Sequence, residues 1–220
     1  MMIHRIAQII SWVFLPLFMP VYGLIATFNT PSSEKILSHP SLYDLPDELK
    51  TQLLVIFIIF GTVAPGISFI LMYRRGLITS IEMDNRKERN IPLFIILSYC
   101  LILYFLFFFK APNLVLPIYI YALPLTGIII SITSLGINLW TKISLHASGA
   151  GILCGYICAF TAQQLQVNHL LVIMAFLISG LILSARLILN KHTPFQVYLG
   201  WLLGFLIAFF CNMFYPFGLI

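Results

Sequence analysis

An all-α fold, a polytopic bundle of six or seven transmembrane helices, is what this 220-residue sequence predicts. Composition is the first reason: 60% of residues are hydrophobic and only 9% charged, where a soluble chain carries about 25% charged residues. Charge count is the second, since seven acidic and twelve basic residues cannot coat a water-facing surface of this size. The third is pattern. Runs such as LLVIFIIFGTVAPGISFILM and IPLFIILSYCLILYFLFFF are continuously apolar, whereas the strands of a membrane barrel alternate. Helices and closed barrels are the two architectures that satisfy every backbone amide in hydrocarbon, and continuity selects helices. The mean hydropathy of +1.01 agrees. The length suits one domain over residues 1–220.

A span needs about 20 apolar residues. The first candidate, residues 6–28, is longer than the roughly 7–15 residues of a signal-peptide core and lacks a small-residue exit. It reads as a retained helix, kinked at Pro16 and Pro20. A polar, Pro- and Ser-rich stretch follows, with a short interfacial helix expected over 34–42. The second helix is expected over 53–73, with Pro65 inside, followed by RRGLITSIEMDNRKERN, the most charged stretch of the chain. The third spans 91–109 and ends in the turn Lys110-Ala111-Pro112-Asn113. The fourth, 114–140, contains Pro117 and Pro124 and is long enough to tilt or break. The fifth covers 145–163, the sixth 170–189 and the seventh 195–214. Gly151/Gly155 and Gly200/Gly204 have the small-x-x-x-small spacing that lets helices approach closely, and are read as packing. Cys100, Cys154, Cys158 and Cys211 lie inside apolar runs and are read as small packing residues.

Alternating helices sort the links onto two sides. One side collects Arg5, Arg74, Arg75, Arg86, Lys87, Arg89, Lys142, Arg186 and Lys191; the other has Lys35, Lys50 and Lys110. The positive-inside rule would make the first side cytoplasmic. If Arg86, Lys87, Arg89, Lys142, Arg186 and Lys191 serve a ligand instead, three cations remain on each side, and charge alone does not orient the chain. The net charge of +5 suits anionic headgroups. No basic stripe or aromatic platform stands outside the apolar runs, which argues against nucleic acid.

Two segments on the cationic side carry chemistry: Ile143-Ser144-Leu145-His146, and Arg186-x5-His192-x3-Gln196. Arg186 sits at the end of an apolar run, where an arginine either snorkels or pairs with an anion. Ser144 is placed to cap a helix, whose first N–H groups and dipole favour an anion. His146, in the first turn, can supply a proton to a leaving group. His192 precedes Pro194 and suits the first turn of the last helix. A neutral imidazole nitrogen can attack phosphorus, and the Gln196 amide oxygen, one turn on, can fix the tautomer of the other nitrogen. Gln196 is a weaker partner than a carboxylate because it carries no charge. Two histidines with no nearby carboxylate make a poor metal site.

These segments resemble the type 2 phosphatidic acid phosphatase superfamily of membrane proteins. Ile143-Ser144-Leu145-His146 falls on the family's Pro-Ser-Gly-His motif, and Arg186-x5-His192-x3-Gln196 on its Ser-Arg-x5-His-x3-Asp motif. The resemblance covers about residues 86–204. It implies His192 as nucleophile, His146 as general acid and Gln196 in the orienting position. Arg186, Ser144, Arg86, Lys87 and Arg89 are then the phosphate-binding groups. The sequence departs from the family in five places. No segment matches Lys-x6-Arg-Pro, for which Arg86-Lys87-Glu88-Arg89-x2-Pro92 is the candidate region. Ile143 stands for Pro, Leu145 stands for Gly, Ala185 precedes Arg186 in place of Ser, and Gln196 replaces Asp.

The resemblance implies a lipid-phosphate phosphohydrolase of a bacterial inner membrane, with a phosphorylated lipid as ligand and no metal or organic cofactor. The departures keep a second expectation open, a catalytically impaired binder or transporter of lipid phosphates. A structural subunit of a larger membrane complex is the third.

Overall fold

The long helices are apolar all round, as helices must be when one face meets lipid and the other meets its neighbours. The computed structural model describes residues 2–32, 41–80, 85–110 (main chain only at Lys110) and 116–215. These form α1 (Met2–Val13), α2 (Met19–Phe28), α3 (Asp47–Ile58), α4 (Ala64–Arg74), α5 (Asn90–Lys110), α6 (Ile118–Ile137), α7 (Leu145–Ala162), α8 (His169–Ile188) and α9 (Pro194–Phe214). A π-helical turn, Ile59–Val63, joins α3 to α4 in one run, Asp47–Arg74. Among the described residues there is no strand. Among the described residues six helices are long and apolar enough to cross a membrane, and the chain is an integral membrane protein.

The expected first helix is two. It bends by 42° between α1 and the Pro16–Phe28 segment, with a 3-10 turn at Pro16–Phe18. Pro16 has no N–H to continue the ladder, whereas Pro20 falls in the first turn of α2, where proline is tolerated. If the bent pair makes one crossing, the spans number seven.

Proline also corrects the fourth helix. Pro117 is the N-cap of α6, extended at ψ 141°, rather than lying inside a helix from 114, and Pro124 stays within α6. Pro65 occupies the start of α4, just after the π turn. The expected interfacial helix at 34–42 falls mostly on residues 33–40, outside the described residues, as do Ala111, Pro112 and Asn113 of the expected turn.

α7 is the centre of the bundle. It is buried along most of its length and packs against α9, α8, α2 and α6. Both glycine pairs lie on the α7–α9 contact. A Cβ at Gly151 would collide with the Trp201 carbonyl, one at Gly155 with that of Phe205, and one at Gly204 with that of Ser148. The two backbones therefore touch, which fixes the start of α7 beside the start of α9. On the other flank, Thr27 Oγ1 of α2 bonds Tyr156 Oη of α7 at 2.8 Å. The four cysteines are free thiols in the helix packing, with Cys154 Sγ donating to the Ala175 carbonyl at 3.3 Å.

Candidate active site

Ser144 caps α7, its Oγ accepting from the Ala147 N–H at 3.3 Å. Leu145 and His146 are the first two residues of α7, so their N–H groups lack intrahelical partners by position. The Ser144 N–H donates to the Gln196 carbonyl at 3.2 Å, joining this cap to the first turn of α9.

At the end of α8 the chain reverses through Asn190, in the left-handed region at φ 52°, a conformation asparagine tolerates. The reversal carries His192 back over the bundle. His192 is not helical, contrary to the expectation from Pro194: Thr193 is the N-cap of α9 and Pro194 its first residue. Proline's fixed φ favours that first position. Gln196 still reaches His192, because it is the fourth member of a capping box. Its Oε1 accepts from the Thr193 N–H at 3.3 Å and lies 3.3 Å from His192 Nδ1. An N–H can only donate, so the atom facing Thr193 is the amide oxygen. His192 Nδ1 must then carry the proton, and the lone pair sits on Nε2.

Arginines surround the histidines. Arg186 is 2% exposed, inside the bundle rather than snorkelling. Its Nη1 donates to Ser11 Oγ of α1 at 3.4 Å. Arg89 is 4% exposed, and its Nη1 donates to the Ile143 carbonyl, just before the Ser144 cap, at 2.7 Å. Burial, then the charges of Arg89 and Arg186 and, more weakly, Lys142, push the His192 imidazole down to about 3; the Gln196 hydrogen bond works the other way. His146 is buried, with Arg186, His192 and Arg89 as its charged neighbours. Its Nε2 lies 3.2 Å from the Ser11 carbonyl.

The structure thus brings Ser144, His146, Arg186, His192, Gln196 and Arg89 to one end of the bundle. Arg86 and Lys87 are placed differently. Arg86 Nη1 donates to the Leu139 and Trp140 carbonyls, at 3.2 and 2.6 Å, and closes the end of α6. Lys87 is exposed. Two residues join that the motifs do not contain, Lys142 and Ser11. Lys142 was legible as a cation two residues before Ser144; Ser11 gave no signal. Among the described residues no group of three or more His, Cys, Asp or Glu could hold a metal ion.

The family model described as the PAP2 superfamily matches residues 141–218. The match contains Ser144, His146, Arg186, His192 and Gln196; Ser11 and Arg86 to Arg89 lie outside it. No curated protein and no solved structure matches the chain. Residues 141–218 are therefore similar to the PAP2 superfamily, a helical membrane family, and the all-helical fold is compatible with that similarity.

Proposed function

We propose that the chain is a lipid-phosphate phosphohydrolase working through a phosphohistidine at His192. The observation that carries this reading is the tautomer. With Nδ1–H held by Gln196 Oε1, the Nε2 lone pair of a neutral imidazole is the nucleophile, among buried arginines at the mouth of an apolar bundle. In the first step Nε2 bonds to phosphorus, the P–O bond to the lipid breaks, and His146 gives its proton to the departing oxygen. In the second, water attacks the phosphohistidine, its proton passes to His146, and inorganic phosphate leaves. Arg186, Arg89 and the N–H groups at the start of α7 bear the charge on the phosphoryl oxygens, the main protein contribution to such transfers. The lipid tail enters between helices whose outer faces are apolar.

A specific feature favours the second reading, a binder with little turnover. Gln196 is neutral, and its oxygen is shared between the Thr193 N–H and His192, so it stabilises a developing imidazolium less than a carboxylate would. The deciding experiment incubates purified protein with a panel of phosphorylated lipids and measures phosphate release. Release by the wild type and its loss in His192→Ala is the expected result. No release with any lipid, while lipid phosphate is still bound, gives the binder instead.

A further inference from the structure

We infer that Ser11, on the N-terminal helix and outside the family-matching segment, is a positioning residue of the site. Its carbonyl fixes the tautomer of His146 and its hydroxyl holds Arg186. The role assigned to these contacts rests on the phosphohydrolase reading; the contacts themselves do not.

Three facts build the case. Ser11 lies in the last turn of α1 and is buried. Carbonyls in the last turn of a helix lack intrahelical donors, and the break at Pro16 leaves those of α1 to be met from elsewhere. Ile10 O is met by the Phe14 N–H at 2.9 Å and Val13 O by Tyr22 Oη at 2.8 Å. Ser11 O is met by His146 Nε2 at 3.2 Å, from 135 residues away. Second, the same residue turns its Oγ to Arg186 Nη1 at 3.4 Å, so one residue of α1 touches a histidine and an arginine of the site at once. Third, α1 packs along α8, the helix that carries Arg186, and the 3-10 turn after it packs on α7, the helix that carries His146.

The chemistry follows from the carbonyl. A carbonyl oxygen can only accept, so His146 Nε2 carries a proton in both its neutral and charged states. The proton that His146 exchanges is therefore on Nδ1. His192 is fixed the other way round, with Nδ1–H on Gln196 and Nε2 free. The two histidines present opposite ring nitrogens to the reacting group, each held by an oxygen acceptor behind it. Such an acceptor fixes ring orientation as well as tautomer. Ser11 Oγ uses one of the five guanidinium N–H groups of Arg186, aiming the others without neutralising the charge.

The test uses the full-length protein in detergent with 15N-labelled His and Arg. The His146 and Arg186 signals are identified by their loss in His146→Gln and Arg186→Lys. Ser11→Ala removes the hydroxyl and keeps the carbonyl, so it should shift the Arg186 guanidinium signals and leave the His146 signals in place. Ser11→Leu, too large for the buried site, should displace α1 and move both. Titration with orthovanadate, a phosphate-shaped anion, then reads the role. Ser11→Ala should weaken binding about tenfold or more, as loss of one hydrogen bond to a charged group does, and should add nothing in an Arg186→Ala background. An unmoved Arg186 signal in Ser11→Ala overturns the assignment, as does an equal loss of vanadate affinity in both backgrounds. An unmoved His146 signal in folded Ser11→Leu overturns the carbonyl half. If the wild type binds no vanadate, the phosphate reading fails, and the nitrogen signals still decide whether Ser11 holds these two residues.

Discussion

In the proposed reaction His192 is the residue on which the chemistry turns, and its surroundings hold its imidazole neutral. Removing it should lower phosphate release by roughly a thousandfold or more, as loss of an activated nucleophile does. Replacing Gln196 by Asp should raise release, by roughly tenfold or more, since a carboxylate orients the ring and also stabilises the imidazolium. Both are read by phosphate release from a lipid phosphate. The pH dependence has a definite sign. The folded imidazole is pushed down to about 3, against about 6.5 in an unfolded chain. Between these values the unfolded chain holds more protons, so this contribution to stability is full above about 6.5 and is lost as pH falls toward 3. Melting of the wild type against His192→Gln in detergent should diverge only below about 6.5. His192 itself stays neutral across that range, so if it is the nucleophile, phosphate release should show no loss of His192 near 6.5.

At the scale of elements, the contact of α7 with α9 sets the site. The Ser144 cap and the His192–Gln196 turn sit at adjacent helix starts because Gly151, Gly155 and Gly204 let two backbones touch. Gly151→Leu should therefore destabilise by about 1–3 kcal/mol or more and separate the two halves of the site. Gly180→Leu, on α8 where an added side chain meets open space, should leave the melting temperature near that of the wild type. The glycine spacing is written in the sequence, and so is the Ser144 cap. The start of α9 lies within one residue of the expected 195, but His192 was wrongly expected in its first turn, because Thr193 and Pro194 compete with it for the helix terminus and the capping box decides for Thr193.

For the whole molecule, the parity of the spans puts the loop before α5, the start of α7 and the end of α8 on one side. Lys191→Cys and Gln166→Cys, in a background without native cysteines, should be labelled by an impermeant maleimide from opposite faces, since α8 separates them. The bent pair can be tested in the same way. α2 descends beside α7, from Pro16 next to Gly149 to Gly23 next to Tyr156, away from the site. Cysteines at Ile3 and Pro31 should therefore also react from opposite faces; labelling from one face would make α1 and α2 a re-entrant hairpin.

The sequence by itself determined the helices, because hydropathy and proline are local. It also determined which links share a side, because that needs only a count of crossings. His146, Arg186, His192 and Gln196 were legible through their spacing and the resemblance it carries. What the tertiary structure alone decided is how the helices are rotated about their axes. Helices apolar all round carry little pattern to show which face turns inward. Arg86, Lys87 and Arg89 share one short 3-10 turn with nothing local to rank them, and Ser11 stands 135 positions from His146, so packing alone singled out Arg89 and Ser11. The packing of α1 and the bend at Pro16 place that serine against the site.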